Sequence, residues 1–81
     1  MRFKLSSNAK KYLDSQDKPT IKRLYEALRS LTKDPPEGDI KPLTGSDNLY
    51  RLRTGDFRII FEINGNNVII DKIAPRGQAY K

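Results

Sequence analysis

Residues 51–81 contain four arginines, Arg51, Arg53, Arg58 and Arg76, and one tyrosine, Tyr80. None of the 81 residues is histidine or cysteine. A guanidinium stays charged at any physiological pH and presents a planar fork of donors that matches the oxygens of a phosphate. A phenol ordinarily ionises near pH ~10, so it is a weak acid that can also stack on a base. The set can therefore grip phosphate and offer a phenol. It excludes imidazole and thiolate catalysis, disulfides and a cysteine-based zinc site.

Strand alternation brings three of these residues together. In Tyr50–Arg53, Arg51 and Arg53 share one face, with Tyr50 and Leu52 on the other. In Phe57–Ile63, the residues Phe57, Ile59, Phe61 and Ile63 form an apolar face opposite Arg58, Ile60 and Glu62. A hairpin through Thr54-Gly55-Asp56 in the usual register then sets Arg51, Arg53 and Arg58 on one face and Leu52 with the apolar set on the other. Like charges across strands repel. Such a cluster either is solvated or holds anions, and arginine at all three positions favours bidentate phosphate contact. Arg76 and Tyr80 stand four residues apart at the C-terminus. Pro75 and Gly77 suggest a bend that returns the tail towards the sheet, but on these residues alone a frayed terminus is the favoured reading. Asp56 reads as a turn residue and Glu62 as a salt-bridge partner.

The elements that must position these residues follow from the rest of the chain. Phe3 and Leu5 alternate with Arg2 and Lys4, predicting a short strand over 1–5. Ser6 or Ser7 caps a helix over roughly residues 8–15, with Ala9, Tyr12 and Leu13 on one face. Asp17 and a first-turn Pro19 open a second helix, which runs to about residue 33. Ile21, Leu24, Leu28 and Leu31 form its apolar stripe, giving an αα-hairpin. Residues 34–47, with Pro35, Pro36, Gly38 and Gly45, read as a loop that ends in a lead-in, Lys41-Pro42-Leu43, with Leu43 anchored in the core. Turns at Thr54-Gly55-Asp56 and Asn64-Gly65-Asn66 join three strands into an antiparallel meander, the last over 68–73. The order β-α-α-β-β-β predicts an α+β fold in one domain spanning 1–81, with both helices on one face of the sheet.

The net charge is +6, from 16 basic and 10 acidic residues. That suits a polyanionic partner, either nucleic acid or an acidic protein, and is equally consistent with a solvated basic surface. Lys10, Lys11, Lys18, Lys22 and Arg23 would place part of this charge on the helices. Apolar runs of two or three residues predict no membrane span, and the N-terminus has no signal-peptide core; a cytoplasmic protein is expected.

The run LYRLRTGDFRIIFEI followed by VIIDKIAPRGQAYK resembles the RelE toxins of prokaryotic toxin–antitoxin pairs. The ending PRGQAYK is similar to an archaeal-type branch. The resemblance covers the whole chain and implies a small curved antiparallel sheet with two helices on one side. It also implies a ribosome-dependent endoribonuclease that cuts mRNA in the A site, with no metal and no cofactor. Arg51 and Arg53 match the basic pair of the first meander strand, and Arg58 the arginine of the GDYR motif. Arg76 and Tyr80 match the C-terminal arginine and tyrosine. On that likeness all five are the expected catalytic set, and the expected partners are an acidic RelB-like antitoxin, mRNA and the ribosomal A site. Two departures stand out. Pro75 occupies a position where many relatives carry histidine. Arg51 and Arg53 replace lysines found in some, so those positions can stabilise charge but cannot act as bases. Two other readings go with the same fold: a ParE-type inhibitor of DNA gyrase that acts by protein contact, and an inactive relative that only pairs with an antitoxin.

Overall fold

The computed structural model describes residues 2–33, 35–45 and 48–75. Strand β1 (Arg2–Leu5) leads into helices α1 (Ser7–Asp14) and α2 (Lys18–Leu31). Strands β2 (Asp39–Pro42), β3 (Leu49–Thr54), β4 (Phe57–Asn64) and β5 (Asn67–Pro75) follow. They form one open sheet in the order β1-β5-β4-β3-β2. The expected α+β class, with a helix pair against one face of a small sheet, is the architecture the chain adopts.

Two features go beyond the expected order. Residues 39–42, expected to lie in a loop, form an edge strand antiparallel to β3. Strand β1 pairs with β5 in parallel, so the sheet is mixed, although its other three ladders are antiparallel. The geometry of the crossover accounts for the second difference. The two helices and β2–β4 separate β1 from β5, so the partners need not run as a hairpin does.

The apolar stripes meet between the layers. Ala9 and Leu13 of α1 and Leu24, Leu28 and Leu31 of α2 pack with Leu52, Ile59, Phe61, Val68, Ile70 and Ile73 of the sheet. Phe61 is completely buried and its ring stacks on Tyr50, centroids 5.6 Å apart. Each of these leucine, isoleucine, valine and phenylalanine side chains contributes roughly 1.5–3 kcal/mol on burial. Ser6 caps α1: its Oγ accepts from Ala9 N–H at 3.1 Å and donates to the Asp71 carbonyl at 2.8 Å. One hydroxyl thus joins the start of α1 to β5. Asp17 stands at the N-cap of α2 but its side chain makes no capping bond.

Gly55 and Gly65 open the two hairpin turns with φ of 54° and 60°. Glycine is the residue that takes positive φ at the first central position of such a turn. Leu43, expected in the main core, instead packs on the opposite face of the sheet against Ile60 and Ala74. Ile40 is the β2 residue that reaches the helix-side core. Among the described residues no helix is long and apolar enough to cross a membrane.

Candidate functional site

Strand pairing fixes the arginines. In the β3–β4 ladder Leu52 stands opposite Ile59 and Tyr50 opposite Phe61, so both pairs face the helices. The alternate residues face outward: Arg53 is directly opposite Arg58, and Arg51 is opposite Ile60. Extending these rows across the sheet gives Asp39–Arg53–Arg58–Ala74 and Lys41–Arg51–Ile60–Lys72. The three arginines expected to share a face do so, with Lys41 and Lys72 beside them.

Their environments differ. The Arg51 side chain is only 9% exposed. Its Nη1 donates to the Asp39 carbonyl at 3.2 Å and lies 3.7 Å from Asp39 Oδ1. Arg53 is 39% exposed, with Nε 3.9 Å from Asp39 Oδ2. Arg58 is half-buried. Arg51 is thus a packed, tethered cation, while Arg53 opens to solvent across from Arg58. Arg76 and Tyr80 lie outside the described residues. Strand β5 ends at Pro75, opposite Phe57 and one row beyond the Arg53–Arg58–Ala74 row.

Two acidic features escaped the reading of the sequence. Asp39 sits where a loop was expected, and only the β2–β3 pairing places its carboxylate between two arginines. Asp71 is the extra residue of a bulge in the β4–β5 ladder, where Ile60 pairs with Lys72 but Phe61 with Ile70. The bulge sets Asp71 against Glu62. Burial first, then a hydrogen bond to Glu62 and the repulsion of its charge, push the Asp71 carboxyl up to about 6. Glu62, expected to serve a salt bridge, is the acidic neighbour of Asp71 at this bulge. The expectation for Asp56 stands: it is an exposed residue of the β3–β4 turn.

A groove of about 260 Å³ opens on the helix side, between α2 and the β3–β4 turn. Arg23, Glu26, Asp56 and Phe57 are among its lining, and none of Arg51, Arg53 or Arg58 contributes. Among the described residues no group of three or more acidic side chains could hold a metal ion. The outward rows can bind an anion through fixed guanidinium charge, and they offer no imidazole or thiol.

A family model described as the ParE toxin of type II toxin–antitoxin systems matches residues 3–80. The RelE1 protein of Methanocaldococcus jannaschii is 34% identical to this chain, over 100% of it and 98% of the relative. A chain in the crystal structure of the archaeal RelE–RelB complex from Pyrococcus horikoshii superposes with a TM-score of 0.77 at 32% identity, covering 96% of this chain and 97% of that one. The RelB–RelE antitoxin–toxin complex from Methanococcus jannaschii gives 0.74 at 25% identity, covering 94% and 93%.

Proposed function

The chain belongs to the ParE/RelE family of type II toxin domains, and from that premise we propose that it is a ribosome-dependent endoribonuclease that cleaves mRNA in the A site. The observation that carries this reading is the outward row in which Arg53 faces Arg58, with Lys41, Arg51 and Lys72 in the neighbouring outward row.

The reaction is attack of an RNA 2′-OH on the adjacent phosphorus. The new 2′-O–P bond forms as the bond to the leaving 5′-oxygen breaks, giving a 2′,3′-cyclic phosphate and a 5′-OH. Negative charge builds on the phosphoryl oxygens in the transition state, and fixed cations that need no reorganisation stabilise it. Arg53 and Arg58 are the pair assigned to those oxygens. Arg51, nearly closed to solvent, supports them from the second row. Arg76 stabilises the leaving oxygen, which takes its proton from water. Tyr80, as its phenolate, takes the 2′-OH proton, or as the phenol stacks on the neighbouring base while water takes that proton. Without imidazole, activity on free RNA is expected to be weak. The ribosome supplies the in-line orientation, which is worth about 7 kcal/mol or more in favourable cases.

The two archaeal structures compared above are complexes of RelE with RelB, which supports an acidic RelB-like antitoxin as the partner of this chain. The basic outward face suits such a partner, and covering it would block phosphate access. A second reading rests on the family model's description as a ParE toxin, namely inhibition of DNA gyrase by protein contact.

Primer extension on mRNA in programmed ribosomes separates the two. Wild type is expected to cut within the A-site codon. Arg58→Ala is expected to lose about 100-fold in rate with the fold retained, the typical loss for one preorganised donor. Tyr80→Phe measures the share of the phenol. Folded wild type that leaves mRNA intact and blocks gyrase supercoiling would transfer the assignment to the second reading.

A further inference from the structure

The arginine row contains a carboxylate that the reaction above does not use. Asp39 stands directly across from Arg53 in the β2–β3 ladder, on the side away from Arg58. Its two oxygens are divided: Oδ1 lies 3.7 Å from Arg51 Nη1 and Oδ2 3.9 Å from Arg53 Nε. Its carbonyl accepts from the same Arg51 Nη1 at 3.2 Å. Arg51 is 9% exposed, Asp39 52% and Arg53 39%, so the chain of contacts runs from a packed cation to an open one. Nη2 of Arg51 and both Nη atoms of Arg53 take no part in these contacts.

We propose that Asp39 is the positioning residue of the phosphate site, a brace pinned by buried Arg51 that sets the direction of the Arg53 guanidinium; the proposal rests on the ribonuclease reading. Three physical points support it. Arg53 and Arg58 carry like charges on directly opposed residues, an arrangement that drives the two side chains apart. A carboxylate on the far side of Arg53, with Oδ2 3.9 Å from Nε, offsets that repulsion and draws the Nε edge of the guanidinium towards β2 by ion pairing, which leaves the Nη donors for the anion. Arginine also has many rotamers, and a guanidinium ordered in advance loses less entropy when phosphate binds.

Charge and positioning predict opposite signs for Asp39→Asn. Removing a negative charge from a basic face strengthens attraction to RNA, so a purely electrostatic brake would release and cleavage would hold or rise. A lost brace lowers the cleavage rate whatever happens to binding. Single-turnover cleavage on programmed ribosomes is therefore measured across toxin concentration for wild type, Asp39→Asn and Asp39→Glu. The expected result is a maximal rate lowered about tenfold or more in Asp39→Asn, with the half-saturating concentration unchanged or lower, and part of the rate restored in Asp39→Glu. A maximal rate for Asp39→Asn equal to or above wild type overturns the proposal.

The Arg53 Nε–H resonance, read by ¹⁵N relaxation on the folded full chain, tests the brace without the ribosome. The guanidinium should be more ordered in wild type than in Asp39→Asn, while the Phe61 and Leu28 core signals stay unmoved. Equal order in both proteins overturns the brace. If wild type fails to cut mRNA while the resonance behaves as expected, it is the ribonuclease reading that falls and the Asp39–Arg53 brace that stands.

Discussion

Asp71 shows how one extra residue in a strand becomes a titration. The bulge turns its carboxyl towards Glu62, and two carboxyls in contact cannot both ionise cheaply. With a value of about 6 in the fold against an ordinary 3.8, the folded chain holds this proton more tightly than the unfolded one. The resulting stabilisation is complete below pH 3.8 and is lost as pH rises through 6. Asp71→Asn should therefore match wild type near pH 4 and exceed it at pH 7. The gain should be about 1 kcal/mol once solvent around a partly exposed carboxyl is allowed for. Urea titrations at the two pH values check this, and a variant less stable at pH 7 would refute it. The arginine face was legible residue by residue because alternation is local. The acidic pair was not, because Asp71 and Glu62 meet only through a register shift.

At the scale of elements, Ser6 and Gly38 do work that their neighbours cannot take over. Ser6 caps α1 and also donates to a β5 carbonyl. Ser6→Ala should cost about 1–2 kcal/mol, at or above the usual loss of a cap, and should accelerate amide exchange at Ala9. Gly38 adopts a φ of 131°, and a Cβ there would fall 2.6 Å from Leu52 Cδ1. Gly38→Ala should destabilise the fold by about 1–3 kcal/mol. It should also displace neighbouring Asp39, so that cleavage falls further than the stability loss explains; thermal melts and cleavage rates on the same sample decide this. Capping and the apolar stripes of both helices were readable from local spacing. The strand at 39–42 was not. Four residues ending in proline carry little strand signal, and it is pairing with β3, with Ile40 against the core, that makes the segment extended.

For the whole molecule, the margin is set by one small interlayer core. A chain of this size is stable by about 4–12 kcal/mol, and truncating a buried phenylalanine costs about 3–5. Phe61→Ala, which empties the centre of that core and removes the Tyr50 stack, should leave the chain partly or wholly unfolded at 37 °C. Circular dichroism would show it, and a melting temperature within a few degrees of wild type would contradict this account of the core. The variant also serves as the control for lost activity through unfolding, against which Arg58→Ala must keep its fold.

The amino-acid sequence by itself determined the α+β class, the helix pair, the two hairpin turns and the outward placement of Arg51, Arg53 and Arg58. Each of these rests on periodicity within a few residues of the chain. The tertiary structure alone decided the parallel closure of β1 on β5, the edge strand β2 and the bulge at Asp71. It also decided which arginine is packed and which is open. Those outcomes depend on which distant backbone groups pair and in what register, and pairing energy is shared between segments that carry no mark of each other in their local sequence.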